Sequence, residues 1–213
     1  MRWAGSGTAR KGFTVATEHS TASRSGFLRL GLAGAGTLSL GAVLASGAPR
    51  AEAASPSPAL DVQVLNYALL LEELQVAFYA AALDRGKLRG ELRDFARVVV
   101  EHEREHVGLL RGALGAKARK VPRFSFGAAV SNPRRFAATA LELEDLGVAA
   151  YNGQAANLTR DALIAAARIV SVDARHAAWI RAIENRPPSP QATDPAKTRR
   201  KVLAEVDRTG FVR

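Results

Sequence analysis

Two pairs of residues in this chain have the types and the spacing of metal ligands in helical proteins. Glu103 precedes His106 by three positions, and 70 residues later Asp173 precedes His176 by the same interval. A spacing of three places both side chains on one face of a helix, so that they can reach the same ions. A site for two iron or manganese ions in a helical bundle uses such a pair from each of two helices and one glutamate from each of two others.

An internal repeat supplies the two single glutamates. Residues 68–79 read ALLLEELQVAFY and residues 140–151 read ALELEDLGVAAY, with eight of twelve positions identical. A repeat indicates which positions the two halves of a protein share, and Glu72 and Glu144 are among them. Glu73, beside Glu72, is an alternative ligand, but the repeat selects Glu72. The four carboxylates carry a charge of −4, which two divalent ions would balance.

A tyrosine follows each of these glutamates seven residues later, at Tyr79 and Tyr151. We predict both as candidate catalytic residues, which hydrogen-bond a ligand carboxylate or act as a redox outlet. The alternative is that each fills the core and its hydroxyl needs a partner. His102 lies off the line of predicted ligands, and we predict it on the surface with its acidic neighbours.

Each motif taken alone has a simpler interpretation. A single acid-x-x-His pair on a helix is usually a solvated pair. Two such pairs together with two matching repeat copies favour a shared, buried site. Carboxylates that are buried without a cation or a metal are costly, and the arginines near the motifs fall mostly on other helix faces.

Four segments with helical periodicity position these residues. They cover about residues 60–83, 91–114, 133–158 and 160–183. Short polar turns join the first to the second and the third to the fourth, which predicts two antiparallel hairpins. The eighteen residues 115–132 can extend over about 60 Å, twice the length of a typical helix of about 30 Å. We therefore predict an all-α four-helix bundle in which two antiparallel hairpins are joined by a long crossover, pinned by Phe124 and Phe126.

The composition excludes several other kinds of site. The chain has no cysteine, and its one methionine is Met1, so thiolate zinc sites, iron–sulfur clusters and methionine-ligated haem are excluded. The net charge is +10, yet no basic stripe with interleaved aromatic residues appears. We therefore predict no specific nucleic-acid partner.

The first 53 residues have the features of an export signal. Basic residues precede the charge-free run 30–49, and Ala51-Glu52-Ala53 offers a cleavage site of small residues. The stretch SRSGFLR resembles a twin-arginine signal in which Ser25 replaces the second arginine. The alternative is an uncleaved anchor, the only case in which we expect membrane contact. The predicted product is exported to the periplasm or cell envelope.

The predicted domain organisation has three parts. Residues 1–53 form the leader, residues 54–186 the helical bundle and residues 187–213 a tail rich in proline and charge. The tail either forms a short helix that starts near Asp194-Pro195 or stays loose.

The segments LNYALLLEELQVAFY, EHEREH, LEDLGVAAY and DARHAAWIR together resemble exported bacterial ferritin-like domain proteins, which include desiccation-associated relatives. The resemblance covers roughly residues 60–184. It implies two iron ions as cofactors, with manganese as the alternative, oxygen or peroxide as a reaction partner, and the option of a homo-oligomer. The family hosts ferroxidases and other oxidant-handling proteins.

The resemblance favours oxidation of Fe(II) by oxygen or peroxide. The alternative is a non-catalytic envelope or stress-protection protein in which the metal is structural or absent. The chain departs from the family pattern at Asp173, where a glutamate is expected. Because aspartate is one methylene shorter, we expect the half of the site with Asp173 and His176 to bind its ion more weakly than the half with Glu103 and His106.

Overall fold

A computed structural model describes residues 55–213, and the predicted leader lies outside them. The described residues are helical and contain no strand, only one isolated antiparallel bridge between Phe124 and Val212. The five α-helices are α1 (Pro58–Asp84), α2 (Gly90–Leu114), α3 (Pro133–Gln154), α4 (Arg160–Ile183) and α5 (Arg199–Thr209). Between residues 55 and 213, none of the helices combines the length and the apolar character that crossing a bilayer requires.

The starts of α1 and α3 follow from local chemistry. Ser57 precedes Pro58, and its hydroxyl accepts a hydrogen bond from the backbone N–H of Leu60. Asn132 precedes Pro133, and its side chain accepts from the next two N–H groups of the first turn. A capping side chain satisfies free N–H groups, and proline in the first turn has none to satisfy. The structure thus confirms the start of the third helix that Asn132 and Pro133 predicted.

The predicted hairpins and crossover are present. Helices α1 and α2 pack against each other, as do α3 and α4. The crossover starts near Asn66 of α1, whose side-chain amide donates to the carbonyl of Lys117 at 3.0 Å. It then reaches the other end of α1, where Phe126 packs edge-on against Phe78 at 5.5 Å. Because Asn66 and Phe78 are three helical turns apart, the connection runs back along the bundle, and the all-α architecture is confirmed.

Two apolar clusters fill the bundle on either side of its middle. One contains Phe78, Phe95, Phe136 and Ile180, and the other lies around Leu69, Leu110 and Ile169. On each of the four long helices the predicted metal ligands fall between residues of the two clusters. The bundle is therefore apolar at both ends and polar in a central layer.

The tail forms a helix, but this helix begins at Arg199 rather than near Asp194-Pro195. Val202 and Val206 are buried against the bundle. The segment before α5 crosses α3 closely, because the N–H of Lys197 donates to a carbonyl of α3 at 2.9 Å. The crossing depends on Gly153, where a Cβ atom would lie 1.8 Å from the carbonyl oxygen of Lys197.

We expect Gly153→Ala to displace the tail and to lower the free energy of unfolding by about 1–3 kcal/mol, the usual cost of an overpacked contact. Thermal unfolding measures the loss, and hydrogen exchange should show it in α5 first. The matched control is Gly108→Ala on α2, where a Cβ has open space. That variant should gain about 0.5–1 kcal/mol, because alanine favours a helix over glycine. Equal stabilities of the two variants would contradict the close crossing.

Candidate metal centre

All six predicted ligands meet in the central layer of the bundle. Each long helix contributes: α1 and α3 one glutamate each, α2 and α4 an acid and a histidine each. The six side chains are buried, from fully enclosed carboxylates to a histidine that is 7 % exposed. They are Glu72, Glu103, His106, Glu144, Asp173 and His176. The i, i+3 spacing on α2 and α4 and the repeat on α1 and α3 thus converge on one point.

The six residues form two overlapping groups of ligand atoms. One group contains Glu72 and His106, the other Glu144 and His176, and both contain Glu103 and Asp173. Within each group the atoms lie within 4.8 Å of one another. The acids of the two acid-x-x-His motifs are therefore shared, whereas each repeat glutamate serves one group.

This sharing overturns the expected division of the site. We expected Asp173 to belong to the half that contains His176, but it belongs to both groups. The reason is that side chains from opposite hairpins reach across the bundle axis to one another, which the spacing along one helix cannot reveal. The shorter side chain of Asp173 therefore affects both halves.

Both histidines direct the same ring nitrogen into the cluster. The Nδ1 atom of His106 lies 3.3 Å from Glu72 and 3.2 Å from Glu103. The Nδ1 atom of His176 lies 3.2 Å from Glu103 and 3.3 Å from Glu144. The Nε2 atoms consequently remain on the outer side of the site. This is the arrangement of a histidine that binds a metal through Nδ1.

The cluster contains most of the buried polar atoms that lack a hydrogen bond. Among residues 55–213, six buried side-chain atoms have no partner, and five of them belong to Glu103, Glu144, Asp173 and His176. The Nδ1 atom of His176 is within 3.3 Å of two carboxylates, but the groups are not oriented for hydrogen bonding. Buried polar atoms are normally paired. Oxygen and nitrogen atoms that converge without partners fit a bound cation.

The charge of the cluster is not neutralised by basic side chains. Three nearby arginines pair with acids outside the central layer instead: Arg104 with Glu101, Arg111 with Glu73, and Arg181 with Asp145. The alternative ligand Glu73 is therefore occupied on the outside of α1. Four buried carboxylates face only two imidazoles and two phenols within the described residues, and such an excess of negative charge requires protons or metal ions.

Burial governs the ionisation of these carboxyl groups. It raises the pKa of Glu103 and of Asp173 well above their usual values, and the charge of Glu72 raises both further. For Glu72 burial also raises the pKa, but hydrogen bonds with Glu103, His106 and Tyr151 hold it below its usual value. Without a metal, burial thus favours the protonated forms of the two shared acids, and a bound cation would displace these protons.

The two tyrosines exchange partners between the repeat copies. Tyr79 follows Glu72 on α1 but donates its hydroxyl hydrogen bond to Glu144 at 2.5 Å. Tyr151 follows Glu144 on α3 but donates to Glu72 at 2.7 Å. Burial raises the pKa of both phenols well above its usual value, so each keeps its proton. Each hydroxyl contacts a predicted ligand; a redox role of the tyrosines stays a prediction.

The prediction that His102 lies on the surface holds only in part, because this residue lines a surface cavity but also contacts a predicted ligand. It is half-buried, and its Nδ1 atom lies 2.9 Å from the Nε2 atom of His176. The two rings meet edge to edge, with centroids 5.2 Å apart and planes 17° from parallel. The sequence signal that could have identified this residue is its spacing of four from His106, which places both on neighbouring parts of one helix face. Its neighbours Glu101 and Glu105 are exposed, as expected.

A surface cavity of about 390 Å³ opens beside these histidines. Its lining residues come only from α2 and α4, and they are Val98, His102, Glu105, His106, Val172, Arg175, His176 and Trp179. The cavity reaches the outer sides of both predicted histidine ligands.

Comparison with known proteins agrees with the architecture. A family model described as "Ferritin-like domain" matches residues 60–186. These residues include the four long helices apart from the first two residues of α1, and all six predicted ligands. A search among curated proteins found no match. With more than half of its length matched, the chain belongs to the ferritin-like domain family.

Proposed function

We propose that this protein binds two iron ions in the central layer and oxidises Fe(II) with oxygen or peroxide, with manganese as the alternative metal. The observation that carries the proposal is the pair of overlapping buried ligand groups that share Glu103 and Asp173. Two groups with shared carboxylates suit two neighbouring ions, whereas separate groups would suit isolated ions. Carboxylate and imidazole ligands also suit iron and manganese better than soft metals.

In this proposal each residue has a defined part. Glu72 and His106 hold one ion, Glu144 and His176 hold the other, and the two shared acids contact both. When bound, the two Fe(II) ions supply one electron each, which together reduce one peroxide to two hydroxides or one O₂ to peroxide. The carboxylates of the chain balance the charge of the ions and release their protons as the ions enter.

The tyrosines orient the ligands in this proposal. Each hydroxyl donates to one oxygen of a repeat glutamate, which leaves the second oxygen of that carboxylate free for an ion. Such outer partners fix the rotamer of a ligand and adjust its basicity. The aromatic rings also exclude water on the side of the apolar clusters, because Tyr79 is fully buried and packs against Phe95 and Phe136.

We expect substitutions of shared and unshared ligands to have different effects on metal binding. Glu144→Gln should weaken the binding of one Mn(II) ion per chain, whereas Asp173→Asn should weaken the binding of both. Each loss of affinity should exceed the roughly 10- to 100-fold that is typical when a residue behind a metal ligand is changed. Calorimetric titration of the metal-free protein with Mn(II) gives the two affinities. Glu72→Gln should likewise weaken the binding of one ion. The matched control is Glu73→Gln, which should weaken the binding of neither ion.

Loss of binding by unfolding can be separated from loss of a ligand. The metal-free Asp173→Asn variant should be at least as stable as the unsubstituted protein, because an amide needs no proton to remain neutral in the buried layer. A wild-type protein that binds no divalent metal, or an Asp173→Asn variant that loses only one ion, would contradict the ligand assignment.

We expect the protein loaded anaerobically with two Fe(II) per chain to oxidise them faster on mixing with oxygen or peroxide than Fe(II) is oxidised in buffer. The absorbance of Fe(III) follows the reaction, and the Asp173→Asn variant should remove the acceleration. Metal binding without acceleration would favour the non-catalytic alternative, in which the metal is structural.

We further propose that the protein acts outside the cytoplasm, as an exported periplasmic or envelope protein. The support is the charge-free run 30–49 followed by Ala51-Glu52-Ala53. Sequencing of the N-terminus of protein from the native cell should then begin near Ala54. An intact N-terminus in the membrane fraction would mean that the leader is an anchor.

A further inference from the structure

His176 is held from both sides. Its Nδ1 atom faces Glu103 and Glu144 inside the cluster, and its Nε2 atom lies 2.9 Å from Nδ1 of His102 on the outside. This contact between the edges of the two rings, whose planes are 17° from parallel, restricts rotation of the His176 imidazole. His102 thus contacts a predicted ligand but none of the carboxylates of the cluster.

The chemistry of imidazole determines how this contact must be protonated when an ion is bound. An ion on Nδ1 of His176 needs the lone pair of that nitrogen, so the proton of the neutral ring must lie on Nε2. His176 then donates from Nε2 to the lone pair on Nδ1 of His102. The opposite polarity would place the proton of His176 on Nδ1, where it blocks the ion.

The other half of the site lacks this partner. The motifs on α2 and α4 are 70 residues apart, so the position equivalent to His102 is Val172, and both line the same cavity. A valine side chain cannot accept a hydrogen bond. Among the described residues no side chain contacts the Nε2 atom of His106 within hydrogen-bonding distance, whereas its Nδ1 atom has partners. The two histidine ligands therefore differ in their outer contacts.

We propose that His102 is a positioning residue, which fixes the tautomer and the ring orientation of His176 and thereby strengthens the binding of the ion held by Glu144 and His176. The inference rests on the proposed function, because it requires an ion at Nδ1 of His176. The two ions then differ in affinity, and the difference is the opposite of the one that the sequence suggested. The ion beside His176 binds first, and the ion beside His106 binds second.

Two substitutions separate the effect of the hydrogen bond from the effect of the neighbouring ring. His102→Phe keeps an aromatic ring against His176 but removes the acceptor, whereas His102→Asn places an amide oxygen near the position of the lost Nδ1. Calorimetric titration with Mn(II) should show that the phenylalanine variant binds one of its two ions about 10- to 100-fold more weakly. The asparagine variant should recover most of this loss, and the control Val172→Ala, in the same cavity, should change neither ion.

A spectroscopic measurement reads the tautomer directly. In the Zn(II)-loaded protein labelled with ¹⁵N-histidine, the His176 signals should show a proton on Nε2 and metal on Nδ1, with slow exchange of that proton with water. In the phenylalanine variant the exchange should become fast, and in the asparagine variant it should be slow again. A residue that only fills space would not produce this pattern.

The outcomes distinguish this inference from the proposed function. If the wild-type protein binds two Mn(II) ions and His102→Phe binds them equally well, the inference is overturned and the proposed function stands. If the phenylalanine and asparagine variants are equally weak, packing rather than the hydrogen bond is responsible, and the inference is also overturned. If the wild-type protein takes up no Mn(II), the proposed function fails, and this inference fails with it.

Discussion

Four carboxylates buried in one layer of an apolar bundle are the constraint on which the rest of this structure depends. They have no lysine or arginine partner in the described residues, and several of their oxygens lack hydrogen bonds. A charge in such a place is tolerated only when it is protonated or bound to a cation. The raised pKa values of Glu103 and Asp173 represent the first solution, and two divalent ions represent the second. Both solutions involve the same buried side chains of the central layer.

The helices can hold such a layer because apolar packing is placed at both ends of it. The two clusters around Phe78 and around Leu69 supply the burial that stabilises the bundle. Within the polar layer, hydrogen bonds from the tyrosines then hold the two repeat glutamates in place. Because each tyrosine binds the glutamate of the other repeat copy, α1 and α3 are tied together through their ligands. The crossover and the segment that follows α5 contact each other through Phe126 and Phe211.

The two halves of the bundle are related but not equal, and the differences are concentrated near the site. Gln75 and Gly147 occupy equivalent positions of the repeat, and a Cβ at Gly147 would be only 3.7 Å from the side-chain oxygen of Gln75. The larger residue of one copy thus occupies space that the smaller residue of the other leaves free. His102 and Val172 form a second unequal pair. A repeat of this kind shares its ligands but differentiates their surroundings.

The sequence alone determined the helices, the hairpins, the long crossover and the six residues that meet in the centre, because periodicity, caps and i, i+3 spacing are properties of the local chain. It could not determine which acids are shared. That depends on how far residues from opposite hairpins reach across the bundle axis, and Asp173 was therefore assigned to one half only. The sequence also placed His102 on the surface, because a residue next to a ligand on the same helix contacts the site only if another helix packs against it. The crossed partners of Tyr79 and Tyr151 and the contact between His102 and His176 were decided by the packing of helices that are distant in sequence.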